Sequence, residues 1–196
     1  MQFRTLAATL VLAAAPAAAH AQGMGAHARM ASNGASVSVG GQAMLPTRDI
    51  VDNAVNSADH TTLVAAVKAA GLVETLKGQG PFTVFAPVNA AFAALPAGTV
   101  ETLLKPENKA ALTGVLTYHV VAGRMDAAAI ERAIRAGRGR ATFKTVGGGT
   151  LTAMMNGPRN IVVKDAQGNV ANVGTYDVRQ SNGIIHVIDR VLLPAR

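Results

Sequence analysis

The chain has 196 residues, 49% of them hydrophobic, and carries a net charge of +7. That length suits one domain with an ample core, and the lack of cysteine excludes a disulfide framework, a thiolate metal site, a cysteine nucleophile and a cysteine-anchored lipoprotein. Aromatic residues are only 4% and tryptophan is absent, so Ala, Val, Leu and Ile must build the core, while the charge favours anionic partners.

The N-terminus has the features of a secretory signal. Arg4 precedes an apolar run from Leu6 to Ala19, too short to span a bilayer as a helix, and Ala19-His20-Ala21 fits a small-x-small cleavage site. Residues 1–21 are therefore expected to be removed on export, which makes nucleic acid the least favoured anionic partner. Residues 22–46 are rich in Gly, Ala, Ser and Met without apolar periodicity, and are expected to be a flexible arm. Within them Met24, His27 and Met30 have the ligand types that suit soft Cu(I), a weak signal in an Ala-rich segment.

From residue 47 the apolar spacing is helical. Asp49 can cap a helix carrying Ile50, Val51, Ala54 and Val55. Thr61 can cap the next, with Leu63, Val64, Val67 and Ala70 on one face and Gly71 as its stop. A short apolar piece, Leu72 to Leu76, ends at Gly78. Pro81 to Ala86 is expected as a strand, followed by helices over Ala90 to Leu95, Val100 to Leu104, and Pro106 to about Leu116. Thr117 to Val121 is expected as a strand. Asp126 then caps a helix, Ala127 to Ala136, closed by Gly137.

After Gly137 the period changes from 3.6 to 2. Candidate strands are Ala141 to Val146, Thr150 to Met154, Ile161 to Lys164, Val170 to Val173, Tyr176 to Val178 and Ile184 to Leu193. Gly147-Gly148-Gly149, Asn156-Gly157-Pro158, Gln167-Gly168-Asn169 and Asn182-Gly183 separate them. Helices first and strands later give an α+β class, not an alternating nucleotide-binding fold.

Three stretches, Thr83 to Phe92 (TVFAPVNAAF), Tyr118 to Val121 (YHVV) and Ser181 to Pro194 (SNGIIHVIDRVLLP), stand in this order across one domain length. In content and spacing they resemble the two signature blocks of a fasciclin (FAS1) domain with its Tyr-His motif between them. The resemblance runs from about Arg48 to Pro194 and implies a fasciclin-like compact wedge over residues 47–194, helices packed against a small β-sheet structure. It implies function weakly, because such domains are mostly adhesion or binding modules. It also implies that His119 packs and hydrogen-bonds beneath the first block, and that the Tyr118-His119 neighbourhood, implicated in receptor binding in some animal members, is a candidate contact. Family members often carry Thr or Ser before Asn89; here Val88 stands there.

Read from the residues, Tyr118 and His119 on a strand would point to opposite faces, one buried and one toward a face or edge. Asn89 suits helix capping at the turn after Pro87. His186 shares an alternation face with Ile184 and Ile188 and reads as a satisfied, half-buried histidine; Asp189 could pair with Arg190 or cap a turn. No His-x-x-x-His or Glu-x-x-His spacing offers metal ligands. No phosphate loop or Gly-x-Ser-x-Gly elbow occurs. Neither a metal nor a cofactor is expected.

The most distinctive local feature is basic. Arg124, Arg132, Arg135, Arg138, Arg140 and Lys144 are opposed within their span only by Asp126 and Glu131. Arg132 and Arg135 share a helix face, and the rest cluster at its C-terminus, where cations favour the dipole. The plain reading is a solvated helix end; the sharper one is an anion-binding patch. The functional expectation is a non-catalytic, monomeric, exported module, periplasmic or at the cell surface. Its partner would be a cell-surface or matrix protein or an acidic glycan, with peripheral membrane contact as a further option. A periplasmic carrier of an apolar or lipid ligand is the alternative, and an enzyme the least favoured.

Overall fold

The computed structural model describes residues 36–195. The leader, the cleavage site and Met24, His27 and Met30 lie outside them. A hairpin of β1 (Val37–Val39) and β2 (Gln42–Met44) comes first. Five helices and one strand follow: α1 (Ile50–Ala54), α2 (Thr61–Ala70), α3 (Val73–Lys77), β3 (Phe82–Pro87), α4 (Asn89–Ala93) and α5 (Thr99–Leu104). Then come α6 (Lys109–Tyr118), β4 (Val120–Ala122) and α7 (Ala127–Ala136). Five strands close the chain: β5 (Arg140–Lys144), β6 (Thr150–Asn156), β7 (Asn160–Lys164), β8 (Val170–Gln180) and β9 (Gly183–Ile188).

The hairpin corrects the reading of residues 22–46 as an arm throughout. Val39 and Met44 are buried against Ile50 and the helical core, and Asn53 ties the hairpin down by bonding both the N–H and the carbonyl of Leu45. Two apolar anchors in a Gly-rich segment leave too little alternation to read as strands.

Seven strands form one sheet in the order β4-β3-β9-β8-β7-β6-β5. β3 and β9 run parallel, and the other pairs are antiparallel. β8 is one long strand where two were expected; its register slips between Val173 and Val178, and this irregularity breaks the apolar alternation. The sheet curls until its edges meet. A bridge joins Val121 of β4 to Thr145 just past β5, and Val146 N–H donates to the Val120 carbonyl at 2.7 Å.

The strand pleat sorts side chains into two cores. Val84 and Ala86 of β3 and Ile185 and Val187 of β9 face the helical core with Leu63, Ala66, Val67, Leu112 and Leu116. Phe85 and Ile188 face the inside of the curled sheet, with Leu151, Ala153, Ile161 and Val163. α7 plugs that second core. Asp126 caps it by accepting from Ala129 N–H at 2.8 Å, and Ile130 and Ile134, one turn apart, are 1% exposed. Burying each stabilises by about 1.5–3 kcal/mol.

The C-terminus of α7 is a Schellman turn. Gly139 N–H bonds to the Ile134 carbonyl and Arg138 N–H to the Arg135 carbonyl. Arg138 occupies the left-handed position, φ 55°, where glycine is the usual residue. An L side chain there costs roughly 1–2 kcal/mol.

Candidate binding site

Tyr118 is the last residue of α6 and His119 its C-cap, so the pair is not on a strand as expected. Both are enclosed, at 1% and 3% exposure. The Tyr118 hydroxyl donates to the Thr150 carbonyl at 2.6 Å and accepts from Ala166 N–H at 2.9 Å. Its ring fills the space where a Cβ on Gly149 would stand, which explains the last glycine of that loop. His119 Nδ1 donates to the Val115 carbonyl at 2.8 Å, and Nε2 accepts from Leu192 N–H at 2.9 Å. That pattern requires the neutral ring. Burial pushes its pKa down to about 4, against the opposing pulls of the Val115 carbonyl and Asp165. The pair therefore staples α6 to β6 and to the chain after β9, and presents no surface to a partner.

His186 is fully buried, more than the half-buried site expected. Its Nε2 donates to the Met125 carbonyl at 2.8 Å, and its ring stacks on Phe85 at 5.7 Å between centroids. Burial lowers its pKa, with the Met125 carbonyl, Asp177 and Asp126 opposing. Beside it Asp177, another left-handed residue, accepts from Ala127 N–H at 2.7 Å. His186 and Asp177 thus fix the start of α7 to the irregular stretch of β8.

Asn89 does cap a helix, though not its own. Its Oδ1 accepts from Thr62 N–H at 3.0 Å, at the start of α2, and its Nδ2 donates to the Ala58 carbonyl. α4 itself has Val88 at its N-cap and no side-chain cap. Asp189 pairs with neither Arg190 nor a turn: its two oxygens accept from Asn172 N–H and Nδ2, both at 2.7 Å. A third buried histidine, His60, was not singled out from sequence. Its Nδ1 pairs with Ser57 Oγ at 2.8 Å. Its Nε2 has no hydrogen-bond partner, and burial lowers its pKa against the opposing pulls of the Ala86 backbone and Asp59.

Two concavities stand out among the described residues. Between α1, α2, α3 and the sheet lies an apolar cavity of about 80 Å³, bounded by Met44, Val51, Val67, Leu76 and Val84. An open polar cleft of about 630 Å³ lies by Lys77, Gly80, Arg124 and Asn182. Its cations already have partners: Arg124 donates to the Gln180 and Ser181 carbonyls, and Lys77 to Asp49 and Asp52. Among the described residues no group of three or more His, Cys, Asp or Glu could hold a metal ion, and no helix is long and apolar enough to cross a membrane.

The basic residues divide. Arg124 sits apart at the polar cleft. Arg132 and Arg135 lie on the solvent side of α7, with Arg135 bonded to Glu131 at 2.8 Å. Ala141 faces α7, so Arg140 and Lys144 alternate to the opposite side of β5. Arg138 stands between the two groups. Lys164 and Arg159, exposed and absent from the sequence reading, lie on β7 and in the turn before it. Cross-strand register brings Lys164 to the face of Arg140, which sequence spacing cannot show.

The Fasciclin domain family model matches residues 58–194. The chain belongs to the fasciclin family. This fasciclin domain is 49% identical over 147 residues to the protein sll1483 of Synechocystis sp., covering 74% of this chain and 73% of that one. It is 36% identical over 162 residues to the cell surface glycolipoprotein MPB83 of Mycobacterium bovis, covering 80% and 64%. It is also 36% identical over 151 residues to the immunogenic protein MPB70 of the same species, covering 72% and 66%. Among solved structures, a FAS1 domain pair from the insect cell adhesion molecule Fasciclin I shares the fold, with a TM-score of 0.66 at 19% identity; the match covers 76% of this chain and 52% of that one.

Proposed function

We propose that this fasciclin domain is a non-catalytic, extracytoplasmic binding module that adheres to an anionic cell-surface or matrix partner, an acidic glycan being the favoured class. One observation carries the reading. The exposed cations Arg132, Arg138, Arg140, Lys144, Arg159 and Lys164 have no acidic partner among the described residues; of this region's cations only Arg135 has one. An uncompensated field of that kind attracts polyanions. The histidines support a non-catalytic role. The three histidines among the described residues are buried; the ring nitrogens of His119 and His186 are engaged by backbone groups, and His60, whose Nε2 is unpartnered, borders only the small apolar cavity. The cell-surface name of one relative fits export, as does the leader pattern of residues 1–21.

The carrier reading has less support. The apolar cavity is about half the ~150 Å³ of an engineered cavity that takes benzene, too small for an acyl chain.

Retention on an immobilised sulfated polysaccharide tests the proposal. The mature domain is expected to bind at low salt and elute as the Debye length falls from about 10 Å at 0.1 M to about 3 Å at 1 M. Flow-through at low salt overturns it. The intact mass of the exported protein tests export: retention of residues 1–21 would contradict it.

A further inference from the structure

We propose that the outward face of β5, β6 and β7 is the docking platform for an acidic polysaccharide, with Arg138 held at its rim. This deepens the reading above and rests on it. The inward residues Ala141, Leu151, Ala153, Ile161 and Val163 fill the core beneath α7. Register therefore sets Arg140, Thr142 and Lys144 of β5, Thr150 and Thr152 of β6, and Lys164 of β7 on the other face.

The three cations form an open triangle. Arg140 and Lys144 stand about 13 Å apart along β5, and Lys164, two strands away in the row of Thr142 and Thr152, lies roughly 12 Å from each. Those separations exceed the Debye length of about 8 Å at physiological salt, so the charges repel one another little while a polymer spanning them meets all three. Threonine hydroxyls between them can donate to and accept from sugar hydroxyls. No carboxylate projects within the triangle. Asp189, toward β8, has both oxygens engaged by Asn172.

Arg138 is an independent observation. Glycines flank it on both sides, yet an arginine occupies the left-handed position of the Schellman turn. A side chain kept where the backbone resists it points to use of that side chain. It is exposed two residues before Arg140, and Arg159 lies at the same end of the sheet, where Asn156 pairs with Asn160. A polysaccharide suits this face better than a bilayer. Val146, just past β5, and Val170, on β8, are the exposed large apolar side chains near it among the described residues, two separate valines and too little for insertion.

The test uses the mature domain, an immobilised sulfated polysaccharide and sedimentation with phosphatidylglycerol vesicles. Arg140→Gln/Lys144→Gln/Lys164→Gln is expected to weaken polysaccharide affinity about tenfold at low salt with an unchanged melting temperature. Arg132→Gln/Arg135→Gln, on α7, is expected to change it less than about twofold. Arg138→Gly should melt about 2–4 °C higher and bind more weakly. If the α7 pair weakens binding as much as the triple variant, the attraction is an unlocalised field; the platform is overturned while anion binding stands. If Arg138→Gly gains stability without losing affinity, its rim role is overturned. Sedimentation with vesicles without polysaccharide retention would make the face a membrane surface and overturn the proposal. A parent domain that binds neither would overturn the proposed function as well.

Discussion

On one face of β3 and β9, Phe85, His186 and Ile188 are exposed by 1% or less; on the other, Val84, Ile185 and Val187 look toward a void of about 80 Å³. The difference follows from what encloses each side. The inner core is wrapped by a sheet that nearly closes and is plugged by one ten-residue helix tied at its start by Asp126, Asp177 and His186. The helical core is roofed by short helices, three of them only five residues long, and by a hairpin of two three-residue strands. Short elements meeting at many angles interdigitate poorly, and space is left between them.

Truncation should show the largest contrast. Leu151→Ala, at a site with 0% exposure in the inner core, is expected to cost about 3–5 kcal/mol, and Leu63→Ala, beside the existing void, about 2–3 kcal/mol. Denaturant midpoints measure both. Equal losses would erase the distinction between the cores.

Acid comes next. The unfolded chain binds protons at its imidazoles near pH 6.5, whereas folded His119 resists until about pH 4, so stability is complete above pH 6.5 and drains as pH falls toward 4. Its share of the loss is on the order of 3 kcal/mol. His60 and His186 shift the same way and add to it. His119→Gln should lower stability at neutral pH but flatten the slope between pH 6.5 and 4. A slope unchanged in that variant would mean His119 does not drive it.

Adding a methylene should act with opposite sign on the two sides. Val67→Ile, on the cavity wall, is expected to stabilise by about 0.5–1 kcal/mol. Val163→Ile, at 0% exposure, is expected to destabilise by about 1–3 kcal/mol. Thermal melts of the pair read the packing difference directly.

Loss of the distant cap, Asn89→Ala, should cost about 1 kcal/mol and loosen amide protection at the start of α2, not of α4. Smallest of all, Arg135→Gln should change stability by under about 0.5 kcal/mol, since its bond to Glu131 is a solvated i,i+4 pair.

Sequence reading reached what local chemistry decides. Asp126 and Gly137 bound α7 as expected; the capping carboxylate acts within one turn, whereas the left-handed turn that ends the helix falls on Arg138 and not on the glycine. The family blocks carried the overall fold. What lay outside local reach was set by partners far along the chain. Tyr118 reads as strand because aromatic and β-branched residues follow one another there, yet α6 continues through it and its hydroxyl is claimed by Thr150 and Ala166. Asn89 stands at a helix start, but the N–H it accepts from belongs to Thr62. The basic run was visible as composition. Its division between α7 and the far face of β5, and the arrival of Lys164 beside Arg140, depend on register.

The meeting of β4 with the end of β5 bears on association between copies. An open sheet would leave two rows of unpaired amides able to recruit strands from neighbouring copies or unfolded chains. Here β4 is engaged by the chain just past β5, through the Val121–Thr145 bridge and the Val120–Val146 bond. Strand addition at β4 is thereby obstructed, since an incoming strand would first have to displace the segment that follows β5.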